Sequence, residues 1–137
     1  MSMADKPMNI FDISGRAMTA QLVRLNATAS NMANAGTISG TKEGAYRAIR
    51  PVFKPITESP GVSTVTVSSI VSSDTPAVKR HDPGHPLADA NGDVWEAGVD
   101  SSSELVDMVD ASRNYQNNVQ VLNTAKSLLL ETIRMGK

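Results

Sequence analysis

An apolar rhythm of threes and fours at each end of the chain, broken by a proline- and glycine-rich stretch between, limits what this sequence can fold into. From about Asn9 to Ala35 there is no proline and one glycine, Gly15. Phe11, Gly15, Met18, Leu22, Leu25, Ala29 and Met32 recur there in alternating steps of four and three, which places them on one seam of a helix. Asn9 is positioned to cap that helix, Asp12 stands near the positive end of its dipole, and Gly36 is the expected stop. The last third repeats the pattern in Leu105, Met108, Ser112, Tyr115, Val119, Leu122, Lys126, Leu129 and Ile133. Ser101 and Glu104 have the spacing of a capping box at its start, and Gly136 closes it. At ~1.5 Å per residue the two helices would run ~40 and ~50 Å. Ser112 and Lys126 interrupt the second seam, which suits an interface that selects its partner's register better than a dry core.

Residues 37–100 hold all but one of the prolines and most of the glycines. The β-branched run "STVTVSSIV" (63–71), the weakly alternating "YRAIRPVF" (46–53) and "NGDVW" (91–95), with its hairpin-type Asn-Gly, predict several short strands joined by long turns. The fold class expected is α+β: two long terminal helices pairing as a coiled-coil-like hairpin, with a small irregular β-rich middle segment. The division is 1–36 for the N-terminal helix, 37–100 for the middle segment and 101–137 for the C-terminal helix.

Energetics then point to assembly. The chain is 137 residues long and 40% hydrophobic, but only 4% aromatic. Burial contributes roughly 25 cal/mol per Å² against an ordering cost of about 1–2 kcal/mol per residue. A lone helical hairpin whose seams are rich in Ala, Gly and Ser is marginal by that reckoning. Further copies are needed to complete it.

Other classes of function find little purchase. A formal net charge of −1 gives nucleic acid no electrostatic footprint. There is no cysteine, hence no disulfide or thiolate metal site. No run approaches the ~20 apolar residues of a membrane span, and "MSMADKPMNIFDISG" lacks the pattern of a cleaved secretory signal. "DANGDVWEAGVD" offers oxygens at Asp89, Asn91, Asp93 and Asp100, but Val94 fills the glycine position of a calcium loop and Asp100 its glutamate position. His81 and His85 of "HDPGH" are kept from helical metal-binding geometry by Pro83 and Gly84. No catalytic, cofactor-binding or metal residues are assigned and no cofactor is expected. Two rival readings stand beside assembly: a small metal-binding or enzymatic module centred on residues 81–100, and a cytosolic coiled-coil adaptor.

The first helix carries "LNATASNMANAGT" (25–37), with asparagine at 26, 31 and 34, and the second carries "NYQNNVQVLN" (114–123). Amides are poor helix-interior residues, since they compete for backbone hydrogen bonds, but between helices they fix register and partner. "ASNMANAGT" resembles the N-terminal motif of flagellar rod and hook proteins, usually Asn-Leu-Ala-Asn, with Met32 in the leucine position. "ASRNYQNNVQVLNTAKSLLLETIRMGK" is similar to that family's closing helix. "GHPLADANGDVWEAGVD" running into "ELVDMVDASRNYQ" resembles its proximal-rod branch more narrowly.

The resemblance implies a structural subunit of the bacterial flagellar basal body, whose terminal helices pack in layers around a central export channel. It implies export through the flagellar type III system without signal cleavage and assembly in the periplasm. The implied partners are copies of itself (a homo-oligomer), other proximal rod proteins, and export-gate, hub and distal rod components. The subunit-interface residues expected on the first helix are Asn26, Asn31, Met32 and Asn34 from the resemblance, with Leu22 and Leu25 from the apolar seam. On the second they are Arg113, Tyr115, Gln116, Asn118, Val119 and Leu122 from the resemblance, with Leu129 from the seam. Of these, Arg113 and Tyr115 are expected to be the costliest truncations, since arginine and aromatic side chains dominate interfaces.

Overall fold

The computed structural model describes residues 9–136; most of the N-terminal stretch read for a signal, and Lys137, lie outside the described residues. Helix α1 spans Ile10–Ala33. Asn9 and Asp12 close a reciprocal capping box, the Asp12 amide donating to Asn9 Oδ1 at 3.0 Å and the Asn9 amide to Asp12 Oδ2 at 3.3 Å. The far end departs from expectation. Asn34, not Gly36, ends the helix, and only Gly61 and Gly92 have positive φ among the described residues. Asn34 supplies its own ending: its Nδ2 donates to the Ser30 carbonyl at 2.8 Å, and its carbonyl accepts from both Thr37 Oγ1 and the Thr37 amide.

Strands β1 (Ile38–Ser39), β2 (Ile49–Ser59), β3 (Val62–Ser72), β4 (Val78–His81) and β5 (Asp93–Glu96) follow. Two of them are longer than the sequence suggested. β2 and β3 each run 11 residues as one antiparallel hairpin, turned at Pro60 and Gly61, where Gly61 takes φ +79°. The other strands form a small antiparallel sheet in the order β1-β5-β4. Asn91-Gly92 is no two-residue hairpin: it ends the long β4–β5 connection, held by Asp89 Oδ1, which accepts from the Asn91 and Asp93 amides at 2.8 and 2.9 Å.

Helix α2 spans Ser101–Met135. Its cap is Asp100, one residue ahead of the expected box. Asp100 accepts from the Ser102 amide at 3.1 Å and from Ser103 Oγ at 2.7 Å. Those bonds, Ser103 foremost, hold the Asp100 carboxyl below its ordinary range. With the cap supplied by Asp100, Glu104 is free to turn inward. α2 packs antiparallel on α1, with the Asn31 end of α1 beside the first turns of α2. The β2–β3 hairpin lies along α1, with Ile49 beside Asn31 and Glu58 beside Arg16.

The core is thin. Its buried apolar residues are Ala20, Ala27, Ala45, Ala48, Val94, Ala97 and Ala111, while the largest fully buried side chains include Glu104 and Asn31. α2 has 35 residues against 24 in α1, so its C-terminal end outruns its partner.

Candidate subunit interface

Small side chains, not the predicted seam, take the most deeply buried positions on the two helices. On α1 the buried residues are Ser14, Ala20, Ala27, Thr28 and Asn31; on α2 they are Glu104 and Ala111. Small residues let helix backbones approach closely, so they take the inner face and rotate the larger residues outward. Of the predicted α1 seam, Phe11, Leu22 and Ala29 are exposed, and Gly15, Met18, Leu25 and Met32 are half-buried. Along α2, Met108, Ser112, Tyr115, Val119 and Leu122 are half-buried, whereas Leu105, Lys126, Leu129 and Ile133 are exposed. Among the described residues beyond Leu122 all but Ala125 are exposed, Leu128, Leu129, Leu130 and Ile133 at 45–60%. Each helix thus offers an apolar stripe that its own chain leaves uncovered.

The resemblance-derived residues fall into two groups. Leu22, Asn26, Arg113, Gln116 and Leu129 are exposed, and Leu25, Met32, Tyr115, Val119 and Leu122 border them half-buried. The amides differ from the expectation that they reach across to neighbours. Asn34 Nδ2 and Asn118 Nδ2 each donate to the carbonyl four residues back, at 2.8 Å in both cases. Asn31 is wholly inside the chain at 0% exposure, with no surface to offer another subunit.

Asn31 sits in a junction of α1, α2 and β2. Its Nδ2 donates to the Ile49 carbonyl at 3.0 Å and to Glu104 Oε2 at 3.1 Å. Its Oδ1 accepts from the Ile49 amide at 2.8 Å and from Tyr46 Oη at 2.9 Å. Both donors and both acceptor positions of the amide are used. Arg50 grips Glu104 through both terminal nitrogens, and its Nη1 also donates to Asp107 Oδ2 at 3.0 Å. Arg24 reaches Asp107 Oδ1 from the other side at 3.1 Å. Tyr46, Arg50, Asp107 and Arg24 gave no signal in the sequence, because pairs this far apart in the chain have no spacing rule. Glu104 did give one, and capping spacing claimed it.

The histidines and carboxylates considered for metal chemistry are engaged within the chain. Asp93 accepts from Lys79 Nζ and pairs with His81 Nδ1, both at 2.9 Å. The bonds from His81 and then Lys79 hold its carboxyl below the usual range, and Asp93 in turn raises Lys79. His85 Nδ1 accepts from the Leu87 amide at 3.0 Å. Among the described residues no group of three His, Cys, Asp or Glu is placed to hold a metal ion, and no helix is long and apolar enough to cross a membrane.

A paired-helix scaffold with uncovered apolar stripes and a small β segment at its flank is the build of an assembly subunit. Comparison with known proteins gives the particular family. A family model described as flagella basal body rod protein matches residues 11–37, and one described as flagellar basal body rod FlgEFG protein C-terminal matches residues 90–135. The flagellar basal-body rod protein FlgC of Salmonella typhimurium is 46% identical over 132 residues, covering 95% of this chain and 98% of that protein. The FlgC protein of Yersinia enterocolitica is 47% identical with the same coverage, and that of Buchnera aphidicola from Schizaphis graminum is 40% identical over 135 residues. The chain belongs to the FlgC family of flagellar basal-body rod proteins, a family of structural rod subunits.

Proposed function

We propose that the chain builds the proximal part of the rod through the uncovered stripes of α1 and α2, packing against further copies of itself and other rod proteins around a central export channel. Export-gate and hub components below and distal rod components above are the further partners of this reading. The role is structural, without catalysis, and the chain reaches the periplasm through the flagellar type III system with its N-terminus uncleaved. One observation carries the proposal: large apolar side chains on both helices, Phe11 and Leu22 on α1 and Leu105, Leu128, Leu129 and Ile133 on α2 among them, stand 36–60% exposed on the chain by itself. Removing them from water on contact with neighbours would supply roughly 25 cal/mol per Å². The rival module at residues 81–100 is not favoured, since its carboxylates and imidazoles are engaged within the chain. A cytosolic adaptor is not favoured either, given the rod family to which the chain belongs.

Purification of intact basal bodies tests the reading. The wild-type chain is expected to co-purify with them, and Leu129→Asp to be lost from them. Leu129 and Leu87 are equally exposed, at 50% and 49%, so Leu87→Asp is the matched control and should be retained. Retention of both variants would remove the stripe from the interface.

A further inference from the structure

The β2–β3 hairpin has two outer edges, and they are finished differently. Just past the last paired residues, the Ser73 amide donates to the Ala48 carbonyl at 2.7 Å. Bonding alternates along an antiparallel ladder, so Arg50–Val71 and Val52–Ser69 are the bonded pairs. The backbone groups of Ile49 and Pro51 on β2, and of Ile70 and Ser72 on β3, therefore face outward. The bulge falls at Ser68 of β3, so β2 runs on in step and Pro55 faces outward like Pro51. Neither proline has an N–H to offer another strand. Ile49 is already taken: Asn31 Oδ1 accepts from its amide and Asn31 Nδ2 donates to its carbonyl, as a paired strand would. The edge of β2 is closed.

The edge of β3 is open. Among the described residues β3 packs on no element other than β2 and α1, and no bond outside the β2–β3 ladder involves the backbone of Ile70 or Ser72. Residues 68–72 are all exposed, with Ile70 at 55% and Val71 at 45%. From Val62 to Ser72 there is no charge, no proline and no glycine, and most residues are β-branched. Exposed edges are normally kept short, or carry lysine or proline that stops another strand from adding. The other outer strands follow that rule: β1 has two residues, β2 has its prolines, and β4 carries Lys79, Arg80 and His81. β3 alone breaks it.

We infer that β3 is a strand-addition edge that pairs antiparallel with β3 of a second copy, joining two hairpins into one four-stranded sheet. The occupant follows from the edges this chain can present. Pairing with β2 of another copy, which would run on head to tail, is barred by Pro51, Pro55 and Asn31. Pairing with β4 would bring up Lys79 and Arg80, and β3 has no carboxylate to meet them. β3 carries no charge to repel its own copy. With Ile70, the middle of the exposed residues, at the two-fold axis, the amide of each Ile70 donates to the carbonyl of the other. The contact is isologous and closes at two copies. It also relieves the marginal stability of a two-stranded sheet. The surface is separate from the helix stripes, so the inference does not rest on the assembly reading and would survive its failure.

Sedimentation equilibrium of the full chain, from micromolar to millimolar concentration, tests it. A monomer–dimer equilibrium with nothing beyond the dimer is expected. Ile70→Pro removes the outward amide and spares the β2–β3 ladder, as Pro51 does on β2. With two bonds lost across the two-fold axis, it should weaken the dimer about tenfold or more. If Ile70→Pro fails to fold, Ile70→Lys carries the test, since that side chain is already 55% exposed and the change sets like charges face to face. Two controls should dimerise as the unsubstituted chain does: Val78→Lys, 57% exposed on β4, and Leu129→Asp in the α2 stripe. A chain monomeric throughout, or species growing past two copies, overturns the inference. So does a dimer that survives in a folded Ile70 variant or is lost in either control.

Discussion

Two arginine–glutamate pairs join the β2–β3 hairpin to the helices, one at each end, and they differ in every respect that matters. At the junction Arg50 meets Glu104, whose side chain is 1% exposed, among further bonds from Asn31 and to Asp107. At the hairpin tip Arg16 meets Glu58 alone, at 3.4 Å, both side chains about two-fifths exposed. In the first pair the carboxylate is enclosed while the arginine is 40% exposed, and in the second both partners are open to solvent. The same contrast runs through the helix pair as a whole. Near residues 24–31 and 104–111 the inner face is made of buried, satisfied polar groups, with Leu105, Val106 and Val109 exposed on the outer side, while past residue 122 the helix has almost no covered face at all. At one end the chain completes the inner face of its own helix pair, and at the other it leaves that face open.

The sharpest way to break that comparison is at the open end. Leu129→Asp should abolish motility while changing the isolated chain's stability by no more than ~0.5 kcal/mol, as expected of an exposed substitution. Urea unfolding beside a swimming assay checks both halves. At the junction the balance reverses. Asn31→Ala would leave the Ile49 amide and carbonyl without their side-chain partner and remove one bond each from the Tyr46 hydroxyl and Glu104, at a cost of about 3 kcal/mol, readable as a lower urea midpoint.

A smaller effect is expected in the flanking sheet. The folded-state carboxyl of Asp93 is held below its ordinary value of 3.8, so the stability it contributes is present above that value and is lost as pH falls through the depressed one. Trp95, the sole tryptophan, pairs with Lys79 across β4–β5 and reports on that region. Its emission should change on acidification below about pH 4, and Asp93→Asn should show the altered emission already at neutral pH. The smallest effect belongs to the hairpin tip: Arg16→Ala should cost under about 0.5 kcal/mol, the usual worth of an exposed pair. A cost there matching that of the junction would erase the distinction between the two ends.

Both helices were legible in the sequence, along with the Asn9 cap, because periodicity and capping are local. The α+β class was legible as well. The inner face was not. The larger residues Leu22, Leu25 and Met32 mark a seam by period, yet Ala20, Ala27 and Thr28 are what the chain buries. A period of 3.6 gives the direction of an apolar stripe and says nothing of whether the same chain or another one covers it. The long β2–β3 hairpin was underestimated because the proline- and glycine-rich composition of residues 37–100 suggested short strands with long turns, although Pro51 and Pro55 are both accommodated within β2. Asn31 drew attention as an amide in a helix, but its partners at Ile49, Tyr46 and Glu104 come from two other parts of the chain, and spacing cannot reveal them.

The central claim is that this chain holds its helix pair firmly at the junction and leaves the far end to be completed by others. Amide hydrogen exchange, compared between the isolated chain at micromolar concentration and the same chain in purified basal bodies, tests it most directly. Amides of residues 104–111 should be protected in both states, and those of residues 122–135 should exchange rapidly in isolation and become protected on assembly. Equal protection along the whole of α2 in the isolated chain, unchanged on assembly, would contradict the account.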